Sequence, residues 1–313
     1  MIEVQGLTKY YGQHAAIRDL TFNIARGEVI GFLGLNGAGK TTTLKILGCV
    51  LLPTAGQVRI DGFDVLKDPH EIRKRIGFLP DTPPLYDEMT VGAYLAFVAR
   101  LRGVPAARVQ ARVEAAEEQA GLREVHRDVI SSLSHGYRQR VGVAQAVVHE
   151  PALLILDEPT SGLDPAQIVE MRALIRNLRG NHTILLSSHI LPEISHTCDR
   201  LLVIQSGEIV AQGTETELAQ QMGTGGGQVE VEVRGQGQAA AELAARVPGV
   251  VRASVQREEG GVAVIRIDGP PELRPEIARA LVGGGVELLR LDRGADRLEN
   301  IFLKLTHGKE TAS

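Results

Sequence analysis

The sequence predicts an α/β fold in two parts: a mostly parallel sheet core with an antiparallel β subdomain and an inserted helical subdomain, then a small α+β domain. Three observations predict it. Residues 28–34 (EVIGFLG), 152–159 (ALLILDEP) and 183–189 (TILLSSH) are short, almost continuously apolar, β-prone runs, each followed by loop residues and a helical pattern. Such runs belong to strands of a parallel sheet covered by helices on both faces. Residues 222–228 (MGTGGGQ) hold four glycines, the composition of a flexible linker. Beyond them the order changes to strand, helix, strand, strand, helix, strand.

Taken in order, residues 1–64 carry alternating patterns broken by glycine turns (IEVQGLTKYY, GQHAAIRDLTFNIARGE, AGQVRIDGFDV), which predict a small antiparallel sheet. Between residues 90 and 127 the chain is rich in Ala, Arg and Glu and offers no strand, so a helical subdomain is inserted there, at about 84–135. The first domain spans 1–222 and the linker 223–227. In the accessory domain, 228–313, strands fall at 228–234, 250–256, 262–267 and 286–291, and helices at 239–246 and 271–281, with one terminal helix at 296–306. That βαββαβ order is the ferredoxin-like one.

Composition sets the outer bounds. At 313 residues, 43% hydrophobic and 23% charged, the chain reads as an ordinary globular protein with room for two cores. No apolar run approaches the ~18 to 20 residues that a spanning helix needs. The N-terminus, MIEVQGLTKYYG, lacks the basic start and apolar core of a signal peptide, which points to the cytosol. Cys49 and Cys198 show no metal-ligand spacing and read as small hydrophobes. A net charge of -4, 4% aromatics and no Trp give neither the basic footprint nor the stacking surface of a nucleic-acid binder, so no nucleic-acid partner is expected.

Chemistry concentrates in two stretches. Gly34, Gly39, Lys40 and Thr41 match G-x-x-x-x-G-K-[ST], with a strand before and a helix after. In this P-loop, glycines let the backbone of Gly34, Asn36, Gly37, Ala38 and Gly39 approach phosphate, and the helix start adds its positive dipole end. Lys40 should reach the β- and γ-phosphates of ATP, the Thr41 hydroxyl should ligate Mg²⁺, and Thr42 should face the α-phosphate. The second stretch is LLILDEPTSGLD, where Asp157 and Glu158 stand side by side at the end of an apolar strand. Two adjacent carboxylates are expensive to desolvate without a compensating charge. Mg²⁺ on Asp157, and an attacking water polarised by Glu158, would supply it.

With these motifs in place the chain, over about residues 2–218, resembles the ATP-binding cassette ATPases that power membrane transporters. LSHGYRQR (133–140) matches the family signature, whose serine and glycine are Ser134 and Gly136. Ser134 suits the cap of the following helix, whose exposed N–H groups form an anion site. The resemblance implies that this site completes the nucleotide pocket of a second ATPase subunit, another copy of this chain or a paralogue. It further implies that Asp164 in SGLD lies at the dimer interface, that His189 touches the γ-phosphate, and that Tyr11 stacks on adenine, with Tyr10 its rival.

Four residues depart from the family pattern. Leu35 stands where Pro is usual, His135 and Tyr137 replace Gly and Gln in the signature, and Asp81 replaces the Gln that links metal to coupling surface. Asp81 is either a metal ligand or the cap of a turn before Pro83 and Pro84. LPDTPPLYDEMTV, the signature and LENIFLKLT together are similar to the exporter branch typified by gliding-motility and drug-resistance ATPases. The resemblance implies an ATP-hydrolysing subunit driving a separate integral membrane permease from the cytoplasmic face. Two rivals remain at this point: a non-transport cassette acting on nucleic acid or the ribosome, and a regulatory switch. Against the first, this sequence shows none of the long coiled coil, zinc module or second cassette usual in such proteins, and Glu158 argues against the second.

Overall fold

The computed structural model describes residues 1–195, 197–214, 217–218 and 228–293. They fall in two compact units, Met1–Thr214 and Glu215–Ser313. The glycine linker at 223–227 and the terminal helix at 296–306 lie outside the described residues.

The first unit opens with β1 (Ile2–Tyr11), β2 (His14–Ile24), β3 (Val29–Leu33), α1 (Lys40–Leu47), β4 (Ala55–Ile60), β5 (Phe63–Asp64), α2 (Pro69–Arg75) and β6 (Ile76–Leu79). Helices α3 (Val91–Leu101), α4 (Ala106–Ala120) and α5 (His135–Val147) follow. The unit continues with β7 (Leu153–Leu156), α6 (Pro165–Leu178), β8 (Thr183–Ser188), α7 (Leu191–Ser195), β9 (Arg200–Gln205) and β10 (Glu208–Gly213).

Two sheets result. The antiparallel one has the order β2-β1-β4-β5, and the larger one β10-β9-β3-β8-β7-β6. In the larger sheet all neighbours are parallel except β10 on β9. Every residue of β3, β7 and β8 is buried, as expected of strands covered on both faces. These are the three apolar runs of the sequence. The β9–β10 hairpin extends the sheet beyond what those runs announce. Its turn is Ser206 and Gly207, with φ of 50° and 83°, the doubly positive pair that matches the twist of a tight hairpin.

The parallel strands all deliver their carboxyl ends to one side, where open α/β sheets bind ligands. Loops after Leu33, Leu79, Leu156 and Ser188 therefore converge. Helices α3, α4 and α5 pack on one another, and α5 lies against β6 and β7. The β6 edge is closed by side chains: Gln145 Nε2 donates to the Phe78 carbonyl at 2.8 Å, and His149 Nε2 to that of Ile76 at 3.0 Å. Gly77 allows this contact, since a Cβ there would lie 2.0 Å from the Ala146 carbonyl oxygen.

The second unit contains β11 (Gln228–Arg234), α8 (Gly237–Ala245), β12 (Arg252–Glu259), β13 (Val262–Asp268), α9 (Arg274–Gly283) and β14 (Glu287–Arg293). The sheet order β12-β13-β11-β14, antiparallel throughout, is the ferredoxin-like topology. Val229, Val231 and Val233 alternate with Glu230 and Glu232, so one sheet face joins Ala240, Ala244, Ile277 and Leu281 of the helices in a separate core.

Candidate functional site

The loop between β3 and α1 is held by its own backbone. Gly39 caps α1 with φ at 107°, a conformation that L side chains resist, and a Cβ there would sit 2.7 Å from the Ala16 carbonyl oxygen. The Lys40 side chain folds back over the loop and donates to the carbonyls of Gly34 at 2.7 Å and Leu35 at 3.3 Å. The first N–H groups of α1 have no carbonyl one turn earlier to satisfy them, which makes the loop a natural seat for an anion. A cavity of about 490 Å³ opens over it.

Asn36, Gly37, Gly39, Lys40, Thr41 and Thr42 line that cavity, joined from other segments by Tyr11, Asp81, Glu158, Ser161 and His189. Gly34 and Ala38 are not among the lining residues. Gly34 contributes the carbonyl under Lys40, while Ala38 is buried and its carbonyl accepts from the Gly207 N–H at 3.0 Å. Of the two candidate tyrosines, Tyr11 faces the cavity, and the Lys9 ammonium lies 5.4 Å from its ring centre.

Asp157 follows β7 and is 1% exposed. Its Oδ1 accepts from the Ser187 hydroxyl at 2.7 Å, and the same hydroxyl oxygen accepts from the Glu158 N–H at 2.9 Å. Its Oδ2 is buried without a hydrogen-bond partner. Burial pushes the Asp157 carboxyl above the usual range, the Ser187 hydrogen bond and the nearby Thr41 hydroxyl oppose the shift, and the charges of Asp81 and Glu158 add to it. No motif marks Ser187; its only signal is a pair of serines ending an apolar strand.

Glu158 has left-handed backbone, φ 49°, and its side chain lies between Lys40 and His189. Lys40 Nζ lies 3.2 Å from Oε1, a contact of charges rather than an aligned hydrogen bond. His189 Nδ1 lies 2.8 Å from Oε2 and donates there, since a carboxylate can only accept.

Among the described residues, no three His, Cys, Asp or Glu side chains form a group able to hold a metal ion. The orphaned Asp157 oxygen, the Thr41 hydroxyl and the nearby Asp81 charge make an incomplete set of hard oxygen donors. Such a set fits Mg²⁺, which keeps waters and takes phosphate oxygens rather than needing a full protein cage.

Ser134, Gly136 and Asp164 do not line this cavity. Ser134 caps α5, accepting from the Tyr137 N–H at 3.4 Å. Asp164 caps α6 in a reciprocal box with Gln167. The two caps are neighbours, because a Cβ on Gly136 would meet the Gln167 side chain at 2.8 Å. His135 Nε2 lies 3.0 Å from the Ser161 carbonyl oxygen, tying the start of α5 to a lining residue of the cavity.

A family profile described as ABC transporter matches residues 17–161. The bacitracin transport ATP-binding protein BcrA of Bacillus licheniformis is 33% identical over 98% of this chain and 98% of its own length. The daunorubicin resistance ATP-binding protein DrrA3 of Streptomyces coeruleorubidus is 34% identical, over 97% of this chain and 95% of its own. Among solved structures, the dimeric bacterial ABC transporter cassette MJ0796 aligns with a TM-score of 0.63 and 25% identity, covering 68% of this chain and 98% of that one. Likeness that runs almost end to end in two relatives, together with the family profile, makes this chain a member of the ABC transporter ATP-binding proteins, the ATPase subunits of such transporters.

Proposed function

We propose that this chain is the ATP-hydrolysing subunit of an ABC exporter, that two such subunits close around two ATP molecules, and that they drive a separate membrane permease from its cytoplasmic side. The observation that carries the reading is Glu158, set between Lys40 and His189 on the rim of a glycine phosphate loop. Export as the direction follows from the relatives named for bacitracin transport and daunorubicin resistance.

In this reading the 34–39 backbone and Lys40 hold the phosphates, and Tyr11 stacks on the adenine. Thr41, Asp157 and Asp81 would hold Mg²⁺, which would supply charge to screen the phosphates. Glu158 orients and polarises the attacking water, and His189 holds Glu158 on one side while facing the γ-phosphate on the other. Ser134 and Gly136 at the start of α5 present N–H groups to the nucleotide of the second subunit, and Asp164 shapes the loop that crosses between them. The permease contact is assigned to a groove of about 550 Å³ lined by Tyr86, Tyr94 and Phe97 together with Arg73, Lys74 and Arg102. Aromatic and basic residues lining one groove suit an amphipathic segment carrying an acid. Tyr94 donates to the Pro84 carbonyl at 3.1 Å, so this groove is continuous with the loop that carries Asp81.

Glu158→Gln tests the assignment. It preserves shape and removes the charge that polarises water, so the variant should bind ATP, fail to cleave it, and run as a dimer on size exclusion with Mg-ATP. A strictly monomeric profile at saturating nucleotide would count against the paired arrangement, and retained hydrolysis against the role of Glu158.

A further inference from the structure

Two serines end β8 and face opposite ways. Ser187 turns to Asp157, whereas Ser188 Oγ lies 2.9 Å from Oε2 of Glu193 on α7. The Ile190 N–H also donates to Ser188 Oγ, at 2.9 Å. The single hydroxyl proton of Ser188 therefore has two acceptors in reach, and it goes to the carboxylate at 2.9 Å rather than to the Ile190 carbonyl at 3.2 Å. From the other side, Thr160 Oγ1 donates to the same Oε2 at 2.5 Å. One oxygen thus receives a hydroxyl from the segment that follows Glu158 and another from the residue that precedes His189.

Thr160, Ser188 and Glu193 are 7%, 1% and 7% exposed. A buried carboxylate is a costly way to fill space, since apolar side chains of similar volume pack there at no desolvation penalty. What it adds is direction: hydrogen bonds to a carboxylate are short and strong and fix both donors at once. Glu193 does not line the nucleotide cavity, so it acts on that cavity only through the two segments it joins.

We propose that Glu193 is a positioning residue for hydrolysis: by tying Thr160 to Ser188 it holds Glu158 and His189 at their 2.8 Å contact. The proposal rests on the ATPase reading above. The phosphate loop and Lys40 are held by backbone contacts of their own, so loss of the tie falls on turnover and leaves nucleotide affinity in place.

The test measures steady-state hydrolysis and the Kd of a fluorescent ATP analogue in the full chain. Glu193→Ala should lower kcat roughly 100-fold, the loss that follows misplacement of reacting groups by about an ångström, while Kd stays within about twofold. Glu193→Gln, whose amide oxygen can stand in for Oε2, should keep kcat to within about threefold. Thr160→Val should lower kcat roughly tenfold, and combined with Glu193→Ala it should add nothing, because it acts through the same oxygen. Wild-type kcat in a folded Glu193→Ala, a fall in kcat accompanied by a matching rise in Kd, or additive losses in the double variant would overturn the proposal. Should Glu193→Ala fail to fold, Thr160→Val decides, an unchanged kcat rejecting the tie. Glu158→Gln run in parallel separates the failures: hydrolysis surviving there overturns the ATPase assignment beneath the proposal, while its loss beside an unimpaired Glu193→Ala rejects Glu193 alone.

Discussion

Asp81 stands two residues beyond the end of β6, lines the cavity with Thr41, Glu158 and His189, and adds its charge to the forces that raise the proton affinity of Asp157. A field that draws a proton to Asp157 draws a divalent cation to the same place. Asp81→Asn should therefore weaken Mn²⁺ binding in the presence of a non-hydrolysable ATP analogue by roughly tenfold, about 1.4 kcal/mol, read from the free Mn²⁺ resonance signal; Asp81→Gln should recover part of it through its longer reach. Three superimposable isotherms would leave Asp81 a turn residue before Pro83 and Pro84. The residues differ in how legible they are from sequence, for a physical reason. Phosphate needs consecutive N–H groups, so Gly34 to Thr42 form one readable stretch, and Asp157 with Glu158 another. His189 and Asp81 each stand alone in their segments and are readable only through family likeness. Thr160, Ser188 and Glu193 meet across three segments of the chain, and no spacing rule relates them.

At the scale of elements, the contact of α5 with β6 joins the signature helix to the strand that leads into Asp81. Gln145 and His149 occupy the carbonyls that an edge strand otherwise offers to another chain. Burial, with the Arg102 charge adding to it, pushes the His149 imidazole down to about 4. The ring is neutral in the folded protein and donates from Nε2, with Nδ1 buried and unpartnered. The folded pKa lies below the unfolded value near 6.5, so acid protonates the unfolded chain first, and stability present at neutral pH is lost as pH falls from about 6.5 towards 4. His149→Gln keeps the donor and removes the titration. Chemical denaturation should show wild type losing about 2 kcal/mol more than this variant between pH 7.5 and pH 5; parallel losses would assign the acid sensitivity elsewhere. Periodicity finds β3, β7 and β8 because both their faces are covered, whereas β9 and β10 are announced by Ser206 and Gly207, a turn signal easily passed over beside long apolar runs.

At the scale of the whole molecule, Met1–Thr214 and Glu215–Ser313 each carry a core of their own, one around Phe32, Leu44 and Ile155, the other around Val231, Ile265 and Leu281. The residues proposed to handle nucleotide all belong to the first. A chain ending at Gly223 should therefore stay soluble and keep basal hydrolysis to within about twofold, since a unit with its own core folds alone. Loss of solubility, or of the cooperative unfolding transition, would show that the units share a core. The sequence places its boundary near residue 222, where a run of glycines and a change in element order coincide, whereas the compact units divide at Thr214 and Glu215.

The backbone of Glu158 has a consequence for how this chain evolves. Left-handed φ in a residue with a Cβ costs roughly 1 to 2 kcal/mol, and glycine or asparagine at 158 would relieve it. Selection for stability alone moves that codon towards either residue, whereas selection for the turnover proposed for Glu158 forbids both. On the role proposed for Glu158, position 158 records which pressure a lineage is under: glutamate kept on so unfavourable a backbone would mark selection for hydrolysis, and glycine there would mark release from it.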